Sequence, residues 1–302
     1  MYAVVLNNYG GLDQLEWKEV PSPRPGAGEV LVKLAATSIN PIDWKLRKGD
    51  AKARIPLELP AILGRDLSGE VIALGAGVTN VRIGDHVLGL SMRTYAEEVV
   101  AKADILAQLP IELAATDGAA LPLVITTGAQ LITDAVRLES GQSVLVTGAA
   151  GNVGRVAVFV AKQRGGRVIA GVRAKQRDEA AELGADQVIA LDDAADLERL
   201  PRLDAIADTV GGDVIAKLLP YLRADGTLGS ILGEPAAAKG KPIVVRAIMA
   251  RSDARILSEL AEAVARGELT IPIAKRLPLE QAAAAQELAE HGRPQGKVLL
   301  LA

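Results

Sequence analysis

The chain has 302 residues, 49% of them hydrophobic, with a formal net charge of −3 and a pI near 5.6. That length supports two domains with substantial cores, and the mild acidity leaves no electrostatic footprint for nucleic acid or an anionic membrane. The absence of cysteine removes disulfides, thiolate nucleophiles and cysteine-ligated metals together.

Residues 1–6, 15–20 and 29–35 read as paired strands, and the Pro/Gly-rich stretch 21–28 reads as a loop between the last two. Residues 40–49 form a short helix or turn, and strand character returns at 69–75 and 81–89 among glycine turns. The first third is therefore an irregular β-rich module. From about residue 121 the pattern changes to Ala/Leu-rich helices alternating with strands. Residues 123–138 are apolar and helical. Strands are expected at 144–146, 167–172, 187–191, 205–209, 226–232 and 243–247, with helices such as 178–183 and 214–222 between them. This alternation implies a parallel sheet covered by helices on both faces. Residues 254–266 form an amphipathic helix, and 296–301 end the chain as a strand able to return to the first module. No apolar run reaches about 18 residues, and the N-terminus lacks a signal-peptide pattern, so a cytoplasmic protein is expected.

The stretch from Val144 to Gly154 organises the second half. Val144, Leu145 and Val146 lead into a turn punctuated by Gly148, Gly151 and Gly154, after which Val153, Val156, Ala157, Val160 and Ala161 recur at helical spacing. A helix N-terminus aimed at such a turn offers free N–H groups and the positive end of its dipole to a diphosphate. A strict G-x-G-x-x-G needs glycine at position 149, which is Ala149. The strand at 167–172 completes a βαβ unit, and that context supports a dinucleotide site. At the end of this second strand an NAD site has Asp or Glu, about 20 residues beyond the turn. Here Arg173, Lys175 and Arg177 stand there, with no acid before Asp178. Three cations favour a 2′-phosphate and hence NADPH; the other reading is a solvated basic turn.

A β-rich first third, a central nucleotide unit and a returning tail resemble the medium-chain dehydrogenase/reductase superfamily, and more narrowly its zinc-independent quinone oxidoreductase branch. The resemblance runs nearly end to end through Ser38 to Asp43, Gly64 to Gly69, Gly84 to Gly89, Leu121 to Thr127, Gly148 to Gly154, Glu182 to Asp186, Asp208 to Gly212 and Gly296 to Leu299. It implies an α/β fold: a GroES-like catalytic domain, 1–120 with 266–302, and a Rossmann domain, 121–265, with a cleft between them and a homodimer. It also implies hydride transfer from NADPH to a small quinone or α,β-unsaturated carbonyl, without nucleic-acid or membrane partners. By motif position, Ala149, Ala150, Gly151 and Gly154 let the backbone approach the pyrophosphate, and Asn152 and Val153 donate N–H groups. Thr127 matches a threonine near the nicotinamide, unless it bonds its own helical turn. Val210, Gly211, Leu232 and Gly233 fall at strand ends, where a cofactor crosses an open sheet. Asn40 matches a cleft asparagine that orients the substrate oxygen or the nicotinamide amide, or is a turn former before Pro41. Lys45 stands where many relatives have tyrosine, or pairs with Asp43 at the surface. Tyr95 lines the cleft, or serves the core or the dimer contact.

Where the zinc alcohol dehydrogenases of this superfamily have Gly-His-Glu, this chain has Gly64, Arg65 and Asp66, and its only histidines are His86 and His291. Without a metal Lewis acid a simple ketone loses its usual polariser, whereas a quinone or enone stabilises the incoming charge by conjugation. No general acid stands out, which leaves solvent as the proton source. A short-chain dehydrogenase needs Tyr-x-x-x-Lys, and the residues four beyond Tyr2, Tyr9, Tyr95 and Tyr221 are Leu6, Asp13, Val99 and Asp225. Enoyl-thioester reduction needs a wider cleft and cations for a carrier phosphate. The alternative from another class is a non-catalytic NADPH-binding redox sensor or regulatory protein; 2% aromatic content leaves few stacking platforms for nucleic acid.

Overall fold

Strand β1 (Tyr2–Leu6) lies antiparallel between β2 (Leu15–Glu19) and β4 (Ala61–Ile62), burying Val4 and Leu6. The computed structural model describes residues 1–292 and 294–302, which divide into one unit of residues 1–123 with 252–302 and a second of 124–251. In the first unit the long strand β3 (Glu29–Ser38) pairs with β5 (Asp66–Leu74), β7 (Glu98–Lys102) and β16 (Lys297–Leu301). The sheet is completed by β6 (His86–Leu90), β8 (Leu106–Gln108) and β15 (Ile273–Pro278). Register shifts along β3 mark bulges that bend a sheet, and inward Val30, Val32, Leu67, Val71, Val87 and Val99 fill its core. The terminal strand β16 does return, with Leu299 opposite Ser38.

Helix α1 (Pro41–Lys48) starts with proline in its first turn, has its Asn40 N–H bound by the Asp43 carboxylate (2.8 Å) and ends at Gly49 in the left-handed region (φ 83°), as proline and glycine placement dictates. The second unit begins within α2 (Pro122–Gln130), which runs on as a π-helical turn over Leu131–Val136. The helical stretch Ala115–Val136 has the length and mean hydropathy (1.4) of a membrane span, and 83% of its most apolar window is buried inside the protein. Polar residues such as Thr126, Thr127, Gln130 and Asp134 interrupt it, so no continuous apolar run of that length occurs, and core helices share this composition.

Six parallel strands form the second unit's sheet: β9 (Ser143–Thr147), β10 (Arg167–Val172), β11 (Gln187–Ala190), β12 (Leu203–Asp208), β13 (Leu222–Ser230) and β14 (Val244–Ala247). Their order is β11-β10-β9-β12-β13-β14, the doubly wound arrangement whose order reverses between β9 and β12. Strand β13 begins four residues before the expected 226, running through Asp225 in the left-handed region. Helix α3 (Asn152–Gln163) follows the β9 turn, and α4 (Arg177–Ala181) follows β10. Helix α5 (Ala254–Ala265), which falls in the nucleotide domain by the bounds the resemblance implies, groups with the first unit, where it packs on β8. Helix α6 (Ala282–His291) packs on α1 and β16.

Candidate functional site

In the second unit the C-terminal ends of β9, β12 and β13 converge. Past Thr147 the chain turns at Gly148 (φ 61°), whose carbonyl accepts the Gly151 N–H at 2.8 Å. Gly151 is the N-cap of α3 and supplies no side-chain cap, so the first-turn N–H groups of Asn152 and Val153 remain for a ligand. At Gly128 a Cβ would come within 2.6 Å of Val156 Cβ and 2.8 Å of the Val153 carbonyl oxygen. This close approach of α2 to α3 occurs one residue after Thr127, which is 9% exposed. Arg155, also nearly buried, donates to the Ala150 carbonyl (3.1 Å) and to Glu179 Oε1 (2.6 Å), which holds the turn against α4.

Asp208, fully buried at the end of β12, binds the three strand ends together. Its Oδ1 accepts from Thr147 Oγ1 (3.0 Å) and from the amides of Val210 (3.0 Å) and Gly211 (2.9 Å); its Oδ2 accepts from Ser230 Oγ (3.1 Å). Ser230 in turn accepts the Leu232 amide at 3.1 Å. Val210 and Leu232 are left as exposed apolar side chains, and a Cβ on Gly148 would lie 2.9 Å from Val210 Cγ2. Thus Ala149 to Gly154, Val210, Gly211, Leu232 and Gly233 gather at one end of the sheet. Thr147, Asp208 and Ser230 were not singled out as site residues. The signal for Asp208 was an acid closing an apolar strand just before Thr-Val-Gly-Gly.

We expect Asp208→Ala, which leaves the Val210 and Gly211 amides without their acceptor, to weaken binding of a dinucleotide by at least about tenfold. Fluorescence titration checks this, and faster hydrogen exchange at Val210 and Gly211 would accompany it.

The three cations after β10 differ in their surroundings. Arg173 and Lys175 are exposed; among the described residues the Arg173 guanidinium hydrogen-bonds only Gln176, with Nε 3.3 Å from Oε1. Arg177 is committed to Asp196, with Asp193 3.6 Å away. Asp196 also accepts the Ala190 amide at 2.6 Å; that bond, then Arg177, holds its carboxyl below the usual range. Arg177 thus braces α4 against Asp196, which holds the end of β11, whereas Arg173 and Lys175 carry no such ion pair among the described residues.

In the first unit the substrate-side candidates fall differently from expectation. Asn40 is 1% exposed, and its amide is fully engaged: Nδ2 donates to Asp66 Oδ2 (2.7 Å) and the Ser38 carbonyl (3.3 Å), while Oδ1 accepts from Lys297 Nζ (2.6 Å). Asp66 also accepts Ser38 Oγ and the Leu123 amide (2.7 Å). Asn40 is thus a structural tie and not a free substrate donor. Tyr95, fully buried, donates to Asp43 Oδ2 at 2.9 Å; burial and then Asp43 push its hydroxyl well above the usual phenol range. Its core role prevails. Lys45 is exposed on α1 and has no partner in Asp43, which is buried and held by the Asn40 amide (2.8 Å) and Tyr95.

Asp43 leaves Oδ1 buried without a partner. Burial, opposed by the Asn40 and Tyr95 hydrogen bonds, raises its pKa from 3.8 to about 7. A raised folded-state pKa stabilises the fold fully below the unfolded value and is lost as pH climbs through about 7. We expect urea unfolding to show wild-type stability declining between about pH 4 and 7 by a few kcal/mol. Asp43→Asn, which retains an acceptor for both donors, should flatten that decline.

Comparison with known proteins places the fold. A profile described as an alcohol dehydrogenase GroES-like domain matches residues 26–111, and one described as a zinc-binding dehydrogenase matches residues 183–300. The quinone oxidoreductase from Coxiella burnetii superposes with a TM-score of 0.89 at 32% identity, covering 100% of this chain and 99% of that one. The chain belongs to the medium-chain dehydrogenase/reductase superfamily, on its quinone oxidoreductase branch. The mycobacterial protein Rv1454c, solved in complex with NADPH, superposes with a TM-score of 0.86 at 28% identity over the full length of both chains. The chloroplastic quinone-oxidoreductase homolog of Spinacia oleracea is 38% identical over 199 residues, 63% of this chain and 60% of that protein. The chain thus spans about 60% of the length of the first curated relatives it matches.

The zinc in one superfamily description does not fit the residues here. The chain has no cysteine, Arg65 occupies the histidine position of the Gly-His-Glu segment, and His86 and His291 are exposed. Among the described residues no group of three metal-binding side chains comes together.

Proposed function

We propose that this member of the superfamily is an NADPH-dependent oxidoreductase that reduces a quinone or an α,β-unsaturated carbonyl without a metal. The observation that carries the reading is the basic end of β10: Arg173 and Lys175 are exposed, no carboxylate stands at residues 170–177, and the β9–α3 turn presents uncapped amides. These groups suit a dinucleotide bearing a 2′-phosphate. When bound, NADPH supplies a hydride to the conjugated acceptor.

The chain's own residues bind and orient. Asn152 and Val153 amides take the diphosphate, Arg173 and Lys175 take the 2′-phosphate, and Thr127 and the exposed Val210 and Leu232 bound the remainder. Asp208 and Arg155 hold these loops before the ligand arrives, so less ordering entropy is lost on binding. Asn40 and Tyr95 are committed within their own unit, so the proton comes from solvent. The exposed edge strand β14, with Val244 and the following Met249 uncovered, supports a homodimer, which sedimentation would test.

The decisive assay follows NADPH absorbance with a 1,4-quinone and a simple enone side by side. Saturable, substrate-dependent oxidation is expected. NADPH binding with no turnover on either acceptor would sink the reductase reading in favour of a redox sensor.

A further inference from the structure

A groove of about 700 Å³ lies wholly within the first unit, alongside β7. Its size suits a small organic ligand. Val20, Pro21, Ile62, Leu90, Met92 and Val100 give it an apolar floor and walls. Met92 is 53% exposed, and methionine is an adaptable lining for varied apolar ligands.

Two guanidinium groups, those of Arg65 and Arg93, line the same groove. Arg65 spends only Nε, on the Ser91 carbonyl at 2.9 Å, which leaves its Nη donors free. Arg93 is exposed and makes no hydrogen bond or ion pair among the described residues. Its φ of 61° lies in the left-handed region, a conformation costly for a side chain of this kind. Two carboxylates, Glu29 and Glu98, and the ammonium of Lys102 also line the groove; Glu29 Oε2 accepts the Gly26 amide at 2.9 Å, and in the β3–β7 register Lys102 stands opposite Glu29 and Lys33 opposite Glu98. Neither acid pairs with Arg65 or Arg93 among the described residues. The groove therefore joins apolar walls to two guanidinium groups without an ion-pair partner among the described residues, and its three cationic side chains, Arg65, Arg93 and Lys102, outnumber its two carboxylates.

We propose that this groove binds an amphipathic carboxylate, its anionic head on Arg65 and Arg93 and its hydrocarbon body against Ile62, Met92 and Val100. Guanidinium groups match a carboxylate in shape and charge, and the apolar walls gain only when a hydrocarbon covers them. The binding does not depend on the NADPH reading, because every lining residue belongs to the first unit.

The test is calorimetric titration of the full chain with octanoate, 1-octanol and acetate. Octanoate should bind with one-to-one stoichiometry and at least about tenfold tighter than octanol, since a charge-assisted hydrogen bond supplies a factor of that order. Acetate, lacking the hydrocarbon body, should bind more weakly than octanoate. Arg93→Asn, a residue tolerated in the left-handed region, should erase the preference for octanoate over octanol. Arg65→Met should do the same, and Val100→Trp should block octanoate by filling the groove. No octanoate binding, equal binding of octanol, or an unchanged preference in Arg93→Asn would overturn the proposal. Octanoate binding retained by a folded Val100→Trp would place the ligand elsewhere and overturn it equally.

Discussion

Replacing Gly154 with alanine is expected to abolish dinucleotide binding and to lower stability by about 1–3 kcal/mol. A Cβ there would lie 2.1 Å from the Gly148 carbonyl oxygen and 2.8 Å from Ala149 Cα. Both are backbone atoms of the tight turn, so neither swings aside as a side chain would. Relief requires α3 to lift from the turn, which moves the Asn152 and Val153 amides together. Gly151→Ala provides the contrast. Its Cβ meets only the Gly148 oxygen at 3.1 Å, at an exposed position, so the fold should survive while a diphosphate seated there is obstructed. Chemical denaturation beside NADPH fluorescence titration separates the two effects. If Gly154→Ala keeps both its stability and its NADPH affinity, the close-packed turn does not govern the site.

The second large effect concerns the choice of cofactor. Arg173→Ser combined with Lys175→Ser should lower kcat/KM for NADPH by about 100-fold, because two charge-assisted contacts are removed at once. Turnover with NADH should stay within about twofold, since neither cation has a partner on a plain ribose. Arg177→Ala should leave the NADPH-to-NADH ratio near its original value, because that guanidinium is held by Asp196. It should instead loosen the segment around Ala190 and Asp196, read as faster amide exchange there. A preference lost as strongly in Arg177→Ala as in the double variant would contradict this division of labour.

These two expectations rest on features of different legibility. The β9 turn was readable because every element of it is local: three β-branched or aliphatic residues, glycines at fixed offsets, and a helical period afterwards. Hydrophobic alternation likewise exposed the parallel sheet and the returning tail strand. The unit that helix α5 joins was not legible, because an amphipathic face announces only that it will be covered, and β8, about 150 residues earlier in the chain, covers it.

The roles of individual polar residues depended on partners far away in sequence. Asn40 looked available as a substrate donor until folding brought Lys297, 257 residues away, and Asp66 onto its amide. Arg177 looked like one of three equivalent cations until Asp196, 19 residues on, claimed it. Asp208 showed only a strand-closing acid, and Thr147 and Ser230 on neighbouring strands turned it into the tie between three loops. Residue type, periodicity and glycine spacing are properties of adjacent residues, and they settle which elements form and where a dinucleotide turn lies. Whether a buried polar group is free to meet a ligand depends on which donors and acceptors reach it across the fold. A buried group left unpaired is costly, so tertiary packing engages most of them, whereas Arg93, Arg173 and Lys175 stay exposed.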